Sequence, residues 1–141
     1  MQTHVKDKKR MKNMKSYENA CIGNYTVIKY VAPAPSINGH VLLGRDAHGA
    51  ERAIKIGAHG TEDKIFAEAQ TLAQLSHPNI ITLCDVGAHF DNPYLVLAPA
   101  CPKTLETLTQ NGTLHAQGTR AFAQVILGAL EHAHKKGIYH C

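Results

Sequence analysis

The stretch Arg52-Ala53-Ile54-Lys55-Ile56 decides the fold that this sequence predicts. Its β-branched isoleucines favour a strand, and a lysine lies in the middle of it. Over residues 64–75 the apolar residues change to a helical period and fall on one stripe. This stripe consists of Ile65, Ala69, Leu72 and Leu75. A strand followed closely by an amphipathic helix is therefore the first unit of the fold.

Glu68 falls on the same stripe, so its carboxylate is expected to face inward. An unpaired charge at such a position is costly, which calls for a cation nearby. Lys55 is the candidate, because a lysine in mid-strand also needs a partner. The alternative is that Lys55 extends outward to solvent and that Glu68 lies on a partly exposed helix edge. The segments that follow favour the paired arrangement.

A strand lysine paired with an inward helix glutamate resembles the protein kinase family, in which the lysine contacts the ATP phosphates and the glutamate orients the lysine. Three later segments resemble kinase segments in the expected order. Residues 75–81 (LSHPNII) resemble a helix-to-strand turn, residues 94–97 (YLVL) the strand before the hinge, and residues 134–140 (HKKGIYH) the approach to the catalytic loop. The resemblance covers residues 21–141 and favours a Ser/Thr kinase over a Tyr kinase.

The fold class that follows is α+β, with strands first and helices after a hinge. Residues 21–98 are predicted to form a kinase-like small lobe, a five-stranded antiparallel sheet with one helix. Residues 99–141 are predicted to contain the hinge and the first two helices of an incomplete large lobe. Residues 1–20 are predicted to be a basic, disordered tail outside the domain.

The resemblance implies an ATP site. Its residues would be Ala34, Ser36 and Gly39 in the phosphate loop, Val41 and Ala53 above the adenine, Lys55 at the phosphates, Leu97 as gatekeeper, and Ala98 and Ala100 in the hinge. The loop pattern G-x-G-x-x-G-x-V reads APSINGHV here, so only Gly39 and Val41 match it. Pro33 and Pro35 also remove donors and stiffen the loop. We therefore expect ATP binding to be weak or lost.

His140 matches the first residue of the catalytic H-R-D motif, and Cys141 stands at the arginine position. The catalytic aspartate, the loop asparagine and the magnesium-binding D-F-G are absent from the 141 residues. We expect no metal site and no catalysis from this chain alone. Two interpretations stay open: a truncated, split or fragment form of a kinase, or a short non-catalytic pseudokinase module that binds a protein partner.

Composition excludes several other classes of protein. The 44% hydrophobic and 18% charged residues are globular values, and no apolar run approaches a membrane span. Four cysteines and ten histidines are scattered without metal-ligand spacing, which favours a reducing, cytoplasmic setting without a zinc or disulfide framework. Basic residues cluster in residues 1–16, either as a solvated tail or for attachment to nucleic acid or an anionic surface. We expect the solvated tail, since no aromatic residues alternate with the lysines.

Residues 117–136 predict a long helix with an apolar stripe that needs cover. The stripe contains Phe122, Val125, Ile126, Ala129, Leu130 and Ala133. In a complete kinase, later helices would pack on much of it. We expect the isolated chain to self-associate through this helix, to bind a protein partner or substrate, or to be poorly soluble. No specific nucleic acid or membrane partner is expected.

Overall fold

The computed structural model describes residues 17–98, 105–112 and 116–140. In this part of the chain, six strands form one antiparallel sheet of order β1-β2-β3-β4-β6-β5. They are β1 (Cys21–Ile22), β2 (Tyr25–Ala34), β3 (Gly39–Arg45), β4 (Glu51–Ile56), β5 (Leu83–His89) and β6 (Asn92–Leu97). The helices are α1 (Glu62–Ala73), α2 (Leu105–Gln110) and α3 (Ala116–Lys135). The α+β class predicted from the sequence is confirmed.

The prediction of five strands is wrong by one. The additional strand, β1, has only two residues and pairs with the start of β2 through Cys21↔Thr26 and Ile22↔Tyr25. A strand this short shows no alternation of polar and apolar residues, so sequence periodicity does not reveal it. Strand β2 continues to Ala34, the first residue of the predicted phosphate loop.

The sheet curls strongly enough to bring distant strands together. The hydroxyl of Tyr25 on β2 donates a hydrogen bond of 3.1 Å to Oδ2 of Asp85 on β5, although three strands separate them in the sheet. Burial and this hydrogen bond raise the pKa of Tyr25 to about 12. Twist that accumulates from strand to strand produces such curvature.

Each face of the sheet carries its own core. The inner face of the curl packs Ile22, Val27, Leu42, Ile54, Ile56, Tyr94 and Val96, all nearly inaccessible to solvent. The other face packs a smaller cluster, Ala34, Ile37, Ile65 and Leu95, against helix α1. Alternation along β4 explains the division, because Ile54 and Ile56 point to one face while Ala53 and Lys55 point to the other.

Helix α1 begins after Thr61, with Glu62 and Asp63 in its first turn, where carboxylates suit the positive end of the helix dipole. Ile65 and Ala69 of its apolar stripe are buried in the core, as the helical period of the sequence predicts. Glu68 lies on that stripe and faces the sheet.

Helix α3 contacts the small lobe through its C-terminal end. Lys136, just after the helix, donates a hydrogen bond of 2.5 Å from Nζ to the carbonyl of Gln74. The ring of His132 lies 5.3 Å from that of His77, and Ala133 is buried. Among the described residues, no helix is long and apolar enough to cross a membrane.

Candidate functional site

Lys55 and Glu68 form the ion pair that the sequence pattern predicts. Nζ of Lys55 lies 2.6 Å from Oε2 of Glu68, with side chains 21% and 36% exposed. Strand β4 supplies the lysine and helix α1 supplies the glutamate, thirteen residues later. Because both groups stay partly solvated, the pair adds little to stability, and its main consequence is to fix the position of the ammonium group.

Three of the predicted nucleotide residues lie on the same sheet face as Lys55. Val41 pairs with Lys55 across β3 and β4, and Ala53 pairs with Leu97 across β4 and β6. Directly opposed residues on antiparallel strands point to the same face. The structure therefore brings Val41, Ala53, Lys55 and Leu97 onto one half-apolar surface bounded by α1.

The predicted phosphate loop folds down onto this surface. Ala34 ends β2 and is buried, and a single 3-10 turn follows at Pro35–Ile37. Ser36 is exposed, but its carbonyl accepts a hydrogen bond of 3.0 Å from Nζ of Lys64 on α1. Asn38 closes the turn in the left-handed region at φ 46°.

Gly39 has a steric reason to be glycine. A Cβ atom built at this position would lie 1.9 Å from the carbonyl oxygen of Ile56, a separation that no packing tolerates. Gly39 is one of the two loop positions that match the kinase pattern, and here it lets β3 start directly against the end of β4.

Ile37 is the residue of this surface that sequence reasoning missed. It is 2% exposed and packs with Ile65 and Leu95. The available signal was a lone apolar residue inside a turn otherwise made of small and polar residues. A position between proline, serine, asparagine and glycine gave no reason to assign it to the core.

The predicted hinge is described only at its first residue. The N–H of Ala98 donates a hydrogen bond of 2.9 Å to the carbonyl of Thr82, which ties the end of β6 to the start of β5. Ala100, the other predicted hinge contact, lies outside the described residues, as does Pro99.

The sequence profile described as protein kinase domain matches residues 38–141 of this chain. The chain belongs to the protein kinase family. The matched range includes both Lys55 and Glu68.

Curated relatives are serine/threonine kinases. The chain is 38% identical over 74 residues to serine/threonine-protein kinase PrkC of Bacillus subtilis, covering 52% of this chain and 11% of that protein. It is 33% identical over 122 residues to a probable serine/threonine-protein kinase of Clostridium acetobutylicum, covering 82% of this chain and 17% of that protein. The chain therefore spans less than a fifth of the length of each of these two relatives.

Solved kinase structures share the fold. The crystal structure of Rad53 residues 1–466 in complex with AMP-PNP superposes with a TM-score of 0.70 at 22% identity, covering 83% of this chain and 32% of that one. The crystal structure of the Mycobacterium tuberculosis PknI kinase domain (C20A mutant) gives a TM-score of 0.62 at 17% identity, covering 85% of this chain and 52% of that one. These likenesses confirm a kinase small lobe followed by part of a large lobe.

His140, the catalytic-loop histidine of the resemblance, is exposed and lies far along the chain from Lys55. It borders a groove of about 420 Å³ between the end of α1 and helix α3. The groove is lined mainly by Leu72, Leu75, Ile80, Ile81, Val125, Ile126, Ala129, Leu130, Ile138 and Tyr139.

Helix α3 is exposed as the sequence predicts, and more widely. Phe122, Val125 and Ile126 of the predicted stripe are 39–44% exposed, and Leu127, which lies outside the stripe, is 63% exposed. Ala133, the last residue of the stripe, is buried against the small lobe.

In the described part of the chain, no group of three or more His, Cys, Asp or Glu side chains is placed to share a metal ion.

Proposed function

We propose that this chain is the nucleotide-binding half of a serine/threonine protein kinase domain, with the small lobe at 21–98 and the start of the large lobe at 99–141. The observation that carries the proposal is the 2.6 Å contact between Lys55 and Glu68 beside an apolar sheet face. A fixed ammonium at the edge of an apolar surface suits a ligand with an aromatic base and a phosphate chain.

The residues of that face fit ATP in part. Val41, Ala53 and Leu97 offer an apolar surface for the adenine, Lys55 would meet the phosphates, and Ala98 and Ala100 would meet the edge of the base. The phosphate loop fits less well, since Ala34 and Ser36 replace glycines and Ala34 is buried. We therefore expect weak ATP binding. We also expect a cytoplasmic location, because the four cysteines are scattered along the sequence without the spacing of a disulfide framework.

Phosphate transfer needs groups that the 141 residues do not supply. The family uses an aspartate to orient the substrate hydroxyl, and an asparagine and a second aspartate to bind magnesium. His140 is the only residue of the catalytic loop motif present in the sequence. We expect this polypeptide alone to bind ATP without transferring phosphate to protein, and its affinity to change little when magnesium is replaced by EDTA.

Calorimetric titration of the 141-residue chain with ATP tests the proposal. Lys55→Met should weaken binding by about tenfold, the loss of one charge-assisted phosphate contact. Lys29→Met, a change at an exposed lysine of β2, is the matched control and should leave the affinity unchanged. Equal affinity for the wild type and the Lys55→Met variant would contradict a phosphate-binding role for Lys55.

A second candidate is a non-catalytic interaction module, which the exposure of α3 favours. Burial of apolar surface contributes about 25 cal/mol per Å², so leaving a few hundred Å² exposed to water loses several kcal/mol of hydrophobic stabilisation. Covering α3 with a second copy or a protein partner would recover part of this stabilisation.

Light scattering tests self-association. Val125→Ser with Ile126→Ser should shift an oligomer to monomer, whereas Gln124→Ser, also exposed on α3, should not.

A further inference from the structure

Ile37 lies among the residues that the proposed nucleotide site uses. It shares a buried cluster with Ala34, Ile65 and Leu95, and Val41, Leu83 and Leu97 pack against that cluster. Two of the residues that pack against the cluster, Val41 and Leu97, are among the three apolar residues assigned to the adenine. Leu95 pairs directly with Lys55 across the sheet. A side chain from the loop thus belongs to the same buried cluster as Leu95, the residue that pairs with Lys55.

Two hydrogen bonds fasten the loop on either side of this side chain. The carbonyl of Ile37 accepts one of 3.1 Å from the N–H of Ala58, in the connection that follows β4. The carbonyl of Ser36 accepts one of 3.0 Å from Nζ of Lys64 on α1. The loop is therefore attached both to the connection that follows the strand of Lys55 and to the helix that carries Glu68.

A loop that cradles phosphates must present its backbone N–H groups to them. In this loop the N–H of Asn38 donates instead to the carbonyl of Pro35, at 3.1 Å, and closes the 3-10 turn. Pro35 has no N–H to offer. The observed loop is thus shaped for packing onto the sheet and α1.

We propose that Ile37 competes with nucleotide, so that ATP binds only when the loop at residues 34–39 lifts and withdraws Ile37 from the cluster. The inference rests on the proposed nucleotide site. When a binding-competent state is only partly populated, the apparent affinity falls by that fraction. Weak ATP binding then has a cause in this chain beyond its missing loop glycines.

The test compares ATP affinity and loop attachment in one set of variants of the 141-residue chain. Ile37→Ala should bind ATP about tenfold more tightly than the wild type, because the open loop loses its competitor. Ile22→Ala removes an equally buried isoleucine from the opposite face and should leave the affinity unchanged. Lys64→Met releases only one attachment of the loop from an exposed position and should tighten binding to a smaller extent.

Hydrogen exchange at the Ala58 amide reports the loop without relying on catalysis. In the wild type, ATP should accelerate its exchange, since lifting the loop breaks its bond to Ile37. In Ile37→Ala the same amide should exchange faster before any nucleotide is added. The amide of Val96, a fully buried residue of the other core cluster, serves as the reference for global opening.

The outcomes separate the two claims. If the wild type, Ile37→Ala and Lys64→Met bind ATP equally while Lys55→Met binds more weakly, the competition is refuted and the nucleotide site stands. Weaker binding by Ile37→Ala would also refute it, because Ile37 would then support the ligand. If no variant binds ATP although Ile37→Ala frees the Ala58 amide, the proposed nucleotide site itself is refuted, and the competitor role with it.

Discussion

The sheet and helix α3 contain similar apolar residues but bury them very differently. Ile54 and Leu95 are fully buried, whereas Val125 and Ile126 are more than 40% exposed. The sheet has α1 on one face and its own curl on the other, so its strands complete their core within residues 17–98. The described contacts of α3 with that unit, through Lys136 and His132, lie near its C-terminal end. In this molecule the sheet and α1 bury their own core, whereas α3 leaves much of its apolar stripe exposed.

The largest expected effect is a core truncation in the sheet. Ile54→Ala should lower the free energy of unfolding by about 3 kcal/mol, because it leaves a cavity where every neighbour is already packed. Leu127→Ala removes a similar volume from α3 and should change it by no more than about 0.5 kcal/mol. Urea denaturation followed by circular dichroism gives both values. Similar losses in the two variants would show that α3 is covered in solution.

A smaller effect is expected from the bond that closes the curl of the sheet. Tyr25→Phe removes the hydrogen bond to Asp85 and should cost about 1 kcal/mol near neutral pH. Tyr30→Phe, a tyrosine of the same strand whose ring packs on His40, is the control and should cost less.

The same tyrosine predicts an alkaline transition. Because the pKa of Tyr25 is raised from 10.0 to about 12 in the folded protein, the folded state resists ionisation of this group more than the unfolded chain does. Its contribution to stability is complete below pH 10 and is lost as the pH rises through about 12. Denaturation at pH 9, 10 and 11 should show a steeper decline for the wild type than for Tyr25→Phe. Parallel declines would contradict this linkage.

The smallest effect concerns the contact that attaches α3 to the small lobe. Nε2 of His132 is buried without a hydrogen-bond partner among the residues that the structure describes. Desolvation, followed by the nearby charges of Lys136, His77 and Lys135, lowers the pKa of His132 from 6.5. The unfolded chain therefore takes up the proton more readily, and stability declines as the pH falls below 6.5.

His132→Gln should flatten the acid decline between pH 7 and pH 5. His48→Gln, in the exposed turn between β3 and β4, should leave the profile unchanged. Melting temperatures measured at four pH values between pH 7 and pH 5 give the slope of stability against pH for each variant. An unchanged slope in His132→Gln would mean that the contact between α3 and the segment after α1 does not respond to protonation.

Features that depend on residues close together in the chain could be predicted from the sequence. So could the ion pair, because a charge that faces the core needs a partner of opposite charge. The Lys55–Glu68 contact, the strand carrying Ala53 and the apolar stripe of α1 followed from period and charge. The position of Ile37 did not, because its burial depends on Ile65 and Leu95, which only the folded sheet brings beside it. Strand β1 was missed for a related reason, since two residues become a strand only through pairing with β2.

The central claim is that Lys55 is the phosphate contact of a nucleotide site, and lysine-directed labelling tests it most directly. An acyl-phosphate derivative of ATP transfers its acyl group to a lysine held beside the phosphates, and peptide mass spectrometry locates the label. The account predicts labelling at Lys55 that excess free ATP suppresses and that Ile37→Ala increases. Label distributed over Lys29, Lys64 and the basic residues of 1–16, with no protection by ATP, would contradict it.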